Sequence, residues 1–520
     1  MRELGTLYRA ILLSITLNIL MAGLPGLSSA QGLPPVPVPP ENPITEEKRV
    51  LGKILFWEEQ LSSDNTVACG TCHRLDTAGG GDPRLNYNPG SDGIFGTEDD
   101  VYGSRGIRHY DADGTPVDDP LYGHEPRVTR RNAQPFITAA WAEDNFWDGR
   151  ASGTFRDPLT NEILIPTGGG LESQAMGPIM DDIEMAFEGR TWDAVTTKLA
   201  DVTPLALAAD LPPDVAAVLG PGVSYGDLFT AAFGDPEITP ARLAFALATY
   251  ERTLVPDQTP WDLYTAGDPD ALTQQQQSGL GIFMAFNCRV CHAPPYFTDS
   301  SFRNDGLRPI AEDTGRQEVT GLPEDAGKFK VPSLRNVGLK PFLMHTGRFT
   351  SLDSVLHFYG TPAIQNLENQ DPLLPVVIPV PARPTLIEFL ANGLTDPRVA
   401  AGEFPFDRPT LASEMGASAV PDAHPLDGPE RLAAVAYPNP FNPRTTISFD
   451  LTEPTQVRVA VYSAHGRVVK VLADDWREAG PQQLTWNGRN DQGKSVASGV
   501  YFYRVVAGDR QAKGRLILVR

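Results

Sequence analysis

Cysteine is scarce. The 520 residues contain four, and all four fall in two copies of one short pattern, so none is left for a separate disulfide framework. Basic residues are outnumbered: 43 Lys and Arg stand against 65 Asp and Glu, a formal net charge of −22. That balance argues against nucleic acid or an anionic membrane as a partner and for a soluble, acidic surface. Long apolar runs are also lacking. The single one, Ala10 to Leu24, lies just after Arg2 and Arg9 and before small residues ending in Ser28-Ser29-Ala30. It is short for a membrane span and reads as a secretory signal peptide over residues 1–30, with cleavage near Ala30. Proline and glycine are not lacking, at 48 each, and point to a loop-rich chain of about three domains.

The pattern that uses the cysteines is C-x-x-C-H. It appears as Cys69-Gly-Thr-Cys72-His73 and again as Cys288-Arg-Val-Cys291-His292. Two thiols three positions apart lie on one helical turn and reach both vinyl groups of a porphyrin as thioethers. The adjacent histidine then ligates the iron. A zinc site would unite two C-x-x-C pairs, and a thioredoxin-like site needs no following histidine. The pattern therefore implies two covalently bound haem c groups, with His73 on the first iron and His292 on the second. Export agrees, because c-type haem is attached outside the cytoplasm in bacteria.

The rest of the chain divides around these motifs. Residues 31–45 are proline-rich and read as an extended linker. Thr45-Glu46-Glu47 opens a helix with Val50, Leu51, Ile54 and Leu55 at helical spacing, ending near Trp57. An insertion between Asn86 and Gly123 carries Asp/Gly loops. Short loops of this kind can wrap a calcium ion with carboxylates and carbonyls, but they fail the EF-hand pattern, since Tyr122 stands where the closing glutamate would be, and a solvated acidic loop is the plainer reading. Thr239-Pro240 opens a second helix with Leu243, Leu247, Tyr250 and Leu254 as its stripe. Thr273-Gln-Gln-Gln276 is a capping box. Residues 46–258 thus form a first haem domain and 259–412 a second, followed by a small-residue linker over 413–430. From about residue 431 to 520 the pattern changes to period two, in 446–451, 457–462 and 499–505, which reads as a small β-sandwich. The expected fold is mainly α, two cytochrome c-like haem domains followed by a small all-β Ig-like sandwich.

Several blocks carry a resemblance. Leu51 to Ser62 precedes the first motif. Arg130-Arg131-Asn132-Ala-Gln-Pro135, Asn145-Phe-Trp147-Asp-Gly-Arg150, Leu171 to Pro178 and Asp181-Asp-Ile-Glu184-Met185 follow it. Asp313-Thr-Gly-Arg316, Phe329 to Asn336 and Met344-His-Thr-Gly347 surround the second. Together they resemble the bacterial di-haem cytochrome c peroxidase family, which includes MauG-type enzymes, over about Glu46 to Leu411. Gln134 displaces a proline and Thr346 replaces the usual aspartate, both small departures. The C-terminal segment resembles sorting domains of type IX secretion and related hook-capping Ig-like modules.

The resemblance implies a set of roles. Glu184 would be the catalytic acid–base group and Gln174 its hydrogen-bonding partner. Trp147 would lie between the haems and assist electron transfer. His124 would be the loop histidine that closes the first iron's open face in some members. On the second iron the far ligand comes from the segment Ser351-Leu352 onward, seven residues after the leucine, where this chain has Tyr359. Met344 and His357 are its rivals. A structural calcium would use Asn132 and the backbone carbonyls of Lys340 and Phe342, two positions whose side chains depart from the usual pair. The implied reaction reduces hydrogen peroxide to water with electrons from a small donor protein of the cytochrome c or cupredoxin type. A MauG-like oxidation of a protein or organic substrate is the alternative, and a non-catalytic di-haem electron carrier the third possibility. The C-terminal module implies engagement with export machinery, and a final place in the periplasm, on the cell surface or outside the cell.

Overall fold

The computed structural model describes residues 32–415, apart from 83, 85 and 96, and residues 434–518, apart from 438–442, 452–453, 464–467, 498 and 509. The expected signal peptide and most of the linker over 413–430 lie outside the described residues. The chain forms two compact units, Met1–Met415 and Gly416–Arg520.

The first unit is built on helices. In α1 (Glu46–Phe56) the Thr45 side chain accepts from the Lys48 amide, and Glu46 and Glu47 lie against the positive end of the helix. Val50, Leu51, Ile54 and Leu55 are all buried, as their spacing predicts. One motif, α2 (Cys69–Cys72), is a single turn. The helices α3 (Gly170–Met180) and α4 (Pro240–Thr253) add to the first core, with α4 packed on both α1 and α3. Gly52 permits the α1–α4 crossing: a β-carbon there would lie 1.9 Å from the Ala246 carbonyl oxygen. A second core forms around α5 (Gln274–Ala285), whose Thr273–Gln276 capping box is made in both directions. Phe283, Phe297, Leu386 and Phe389 fill it.

Two boundaries differ from expectation. The proline-rich residues 31–45 do not stand away as a linker. Trp141 donates to the Pro34 carbonyl, Arg252 to that of Pro37, and buried Asn42 donates to Glu172 and to the Phe245 carbonyl. Likewise, the end of the expected second haem domain returns to the first. Val399, Phe406 and Leu411 lie in the first core, and Lys53, 0% exposed on α1, pairs with Asp407 at 2.9 Å and Asp214 at 3.0 Å. Glu59 then accepts from the amides of Ala412 and Ser413.

The second unit is a sandwich of two antiparallel sheets. Strands β1 (Ala434–Tyr437), β2 (Thr445–Leu451), β3 (Thr455–Ser463), β4 (Val468–Arg477), β5 (Gly480–Trp486), β6 (Gly499–Ala507) and β7 (Arg510–Leu518) follow in order. One sheet runs β4-β3-β6-β7 and the other β5-β2-β1. Trp486, Val457, Val459, Val461 and Leu516, all buried, form its core.

Candidate haem centres

The first attachment turn is held flat against a tryptophan. A β-carbon on Gly70 would lie 2.2 Å from the Trp57 ring, so only glycine lets α2 pack there. The Thr71 hydroxyl accepts from the Ala68 amide and fixes the start of the turn. His73 follows at its C-terminal end. Its Nδ1 lies 3.1 Å from the Gly79 carbonyl oxygen. A carbonyl only accepts, so Nδ1 carries the proton and Nε2 keeps its lone pair for iron. Burial holds the ring neutral by lowering its pKa. The second motif repeats the device: His292 Nδ1 lies 3.2 Å from the Phe297 carbonyl oxygen. Two thiols on one turn, beside an imidazole with one nitrogen tied and the other free, fit a c-type haem at each place.

A cavity of about 300 Å³ opens beside the first motif, lined by Cys72, His73, Trp147, Arg150, Gln174, Glu184 and Glu251 among others. Gln174 comes from α3. Glu184 comes from the turn after it, where Asp181 accepts from the amides of Ile183 and Glu184. Burial pushes the Glu184 carboxyl up to about 7, with the Asp181 charge adding to the rise and Arg150 opposing it. A group poised there both takes and returns a proton near neutral pH.

Trp147 is 7% exposed and lies on the wall towards the second half of the unit. Its indole N–H donates to the Asn132 carbonyl at 2.7 Å, and its own carbonyl accepts from the Lys330 amide at 2.7 Å. Its ring centre is 6.1 Å from that of His345, which stacks on Phe329 at 3.7 Å. Sharp turning on either side, with φ of 67° at Phe146 and 73° at Gly149, aims the tryptophan inward.

Tyr359 is the last residue of α6 (Leu352–Tyr359), which Ser351 caps. Burial pushes its phenol far up, and the charges of Asp305, Cys291 and Cys288 add to the rise, so the ring lies within electrostatic reach of the second attachment site. Of its rivals, His357 is exposed, and Met344 is half-buried in a turn with φ of 71°.

His124 requires correction. It is not brought to the cavity: its side chain is 83% exposed and pairs with Asp118 at 2.5 Å, because the acidic insertion turns it to solvent. His109, in the same insertion, is 24% exposed and lies 3.7 Å from Asp119. At the expected calcium position Asn132 is 1% exposed and its Oδ1 is buried with no hydrogen-bond partner, which suits a cation. Phe342 is buried and stacks on Tyr102, 5.6 Å between ring centres. The Lys340 side-chain nitrogen, however, reaches the carbonyls of Gly80 at 3.3 Å and Ala133 at 3.5 Å; burial lowers its pKa to about 7, and its protonated form competes with calcium. Glu251 is the cavity residue that motif reasoning passes over. The signal was present: Leu243, Leu247 and Glu251 recur every four residues, which puts a carboxyl in an apolar stripe.

These two centres define a c-type di-haem oxidoreductase. The family described as di-haem cytochrome c peroxidase matches residues 46–270, and the FlgD Ig-like domain matches residues 439–511. The methylamine utilization protein MauG of Methylophilus methylotrophus is 30% identical over 338 residues, 64% of this chain and 77% of that protein. The cytochrome c551 peroxidase of Nitrosomonas europaea is 27% identical over 371 residues, 70% and 88% of the two chains. A crystal structure of a MauG-like protein associated with microbial copper homeostasis shares the fold, with a TM-score of 0.50 and 22% identity over 73% of this chain and 98% of that one. The chain belongs to the di-haem cytochrome c peroxidase/MauG family, and its cofactors are two c-type haems.

Proposed function

We propose that the protein reduces hydrogen peroxide to water at the first haem, with two electrons from a small donor protein of the cytochrome c or cupredoxin type entering through the second. The observation that carries this is Glu184, a half-buried carboxyl poised near pH 7 on a cavity beside His73. Cys69, Cys72 and His73 would hold the first haem, which would supply the iron redox chemistry for cleaving the O–O bond. The chain supplies the protons and the geometry. Glu184 as carboxylate takes the proton from the nearer peroxide oxygen and returns it to the departing one. Gln174, on the same cavity wall, would orient the peroxide by its amide. Trp147 bridges the two halves as an aromatic path for electrons. An electron carrier would need neither a cavity nor a titrating carboxyl beside it.

The second reading, a MauG-like oxidase, is favoured by Tyr359 at the second centre, since a phenolate ligand stabilises ferric and higher states. Export, the course implied by haem attachment, would place the protein in the periplasm, on the cell surface or outside, and the sandwich would serve export or surface attachment. Calcium at Asn132 with the carbonyls of Lys340 and Phe342 is supported by the unpartnered Asn132 Oδ1 and opposed by the Lys340 ammonium.

The test is steady-state peroxide turnover by the purified holoprotein, with and without reduced cytochrome c. Glu184→Gln should lower the rate by about a hundredfold or more, with haem content unchanged. Near-normal turnover in that variant refutes the assignment.

A further inference from the structure

The first haem cavity holds a second carboxyl that the proposed chemistry does not use. Glu251 lies near the C-terminal end of α4 and is 6% exposed. Its sequence neighbour Arg252 is committed elsewhere, to a bidentate pair with Glu172 at 2.6 and 2.9 Å and to the carbonyls of Gly168 and Pro37. Glu251 makes no such bond: its Oε2 is buried and has no partner. It lines the main cavity with Glu184 and Gln174. It also lines a small adjoining space of about 40 Å³ between Cys69, Phe56 and Leu247, which Glu184 and Gln174 line as well.

A buried carboxylate with a bare oxygen is strongly penalised, whereas the protonated acid is not. The groups facing Glu251 leave the balance unchanged. Burial dominates and pushes the carboxyl up to about 8; the Arg252 charge opposes the rise, and the smaller effect of Glu172 on α3 adds to it. On α2 the thiols of Cys69 and Cys72 become thioethers when haem is attached, and the imidazole of His73 is neutral.

We propose that Glu251 is a second proton-carrying carboxyl of the first haem cavity, one that delivers a proton to the oxygens formed from peroxide and is reloaded from solvent. The inference rests on the peroxidase reading of this cavity. Reduction of one hydrogen peroxide to two waters consumes two electrons, from the donor protein, and two protons. Glu184 moves the peroxide's own proton from one oxygen to the other and so adds none. In the proposed step the O–H bond of Glu251 breaks, an O–H bond forms on a product oxygen directly or through a cavity water, and the carboxylate left behind is reprotonated through the cavity mouth. Arg150, whose side chain is 44% exposed, marks that mouth.

The experiment is infrared difference spectroscopy of the holoprotein between about pH 6 and about pH 10, without peroxide. The wild type should show a buried carboxylic-acid C=O band at pH 7 that disappears in two overlapping steps. Glu251→Gln should remove the step at higher pH and Glu184→Gln the one at lower pH. Turnover of Glu251→Gln should fall about tenfold or more on the alkaline side, with haem content and visible spectrum unchanged, and Glu251→Asp should restore part of it. Absence of the band in the wild type overturns the proposal whether or not the variants fold. So does an upper step that survives Glu251→Gln, or a pH–rate profile equal to wild type. The titration needs no peroxide, so its result is separate from the turnover test of Glu184.

Discussion

Replacing Arg131 with methionine should cost the holoprotein about 3–5 kcal/mol of stability at neutral pH, the usual loss when one partner of a buried ion pair is removed. Arg131 is 6% exposed. It bonds Asp148, 1% exposed, at 2.5 Å, and Asp313, 5% exposed, at 2.8 and 2.6 Å. Burial alone would push the Asp313 carboxyl up; the Arg131 hydrogen bonds and charge outweigh it and hold it at about 2, against an ordinary 3.8. That difference of about two pH units corresponds to roughly 2.5 kcal/mol from Asp313 alone. Asp148 keeps Arg150 at 3.0 Å, so its share is smaller. A depressed carboxyl contributes stability that is present above its unfolded pKa and lost as pH falls through its folded one. In the wild type the Asp313 contribution is therefore complete above about pH 4 and fades towards pH 2. In the variant, burial without Arg131 raises both carboxyls, so stability falls as pH rises, and the deficit should be largest near pH 7 and shrink towards pH 4. Urea unfolding followed by haem absorbance and tryptophan fluorescence at the two pH values measures this. A deficit under about 1 kcal/mol at pH 7, or one that is the same at both pH values, refutes the reasoning.

Denatured, exported protein should carry the added mass of two haems; apo mass or one haem contradicts the pairing of both C-x-x-C-H turns. Truncation should be made after Met415 rather than near Ser413, because Glu414 pairs with Arg74 and Arg408 on the first unit; that fragment should keep full peroxide turnover, and loss of activity in a folded truncation argues against a separable sandwich. Tyr359→Phe should abolish the ferric low-spin resonance of the second haem. A resonance that persists unchanged, or a near-infrared band of methionine ligation in the wild type, removes Tyr359 as ligand.

Local order was legible in the sequence. Four apolar positions at helical spacing marked α1, Thr239-Pro240 marked the start of α4, and the capping box of α5 is made as Thr273-Gln276 predicts. Alternation found β2, β3 and β6 but passed over β4, whose Ala473-Asp-Asp-Trp476 stretch is largely exposed on an edge strand and so lacks period-two contrast. Long-range packing was not legible. Val399, Phe406 and Leu411 share no period, and nothing local says that they return to the first core. Lys53 reads as a solvated lysine until Asp214 and Asp407 enclose it. His124 fails for the same reason: its distance along the chain from Arg131 carries no information about which way an acidic loop turns.

The two haem sites are alike on the histidine side and differ on the other, and the division of labour follows from that difference. Each histidine is locked by one backbone carbonyl, so neither ring rotates freely and the iron affinity of each is set in the same way. Opposite the histidines, the first site offers carboxyls raised to about 7 and about 8, and the second brings up a phenol that burial pushes far up, which would ligate the second iron as a phenolate. On the proposed reading, proton-coupled chemistry belongs to the first site and electron entry to the second. Trp147 is placed for the link by backbone bonds from both halves: Asn132 accepts from its indole on one side, and Lys330 donates to its carbonyl on the other. The adjacent Asp148 is tied through Arg131 to Asp313 in the second half. These bonds tie Trp147 and its neighbour Asp148 to both halves at once, which is the placement an aromatic link between the two sites would need.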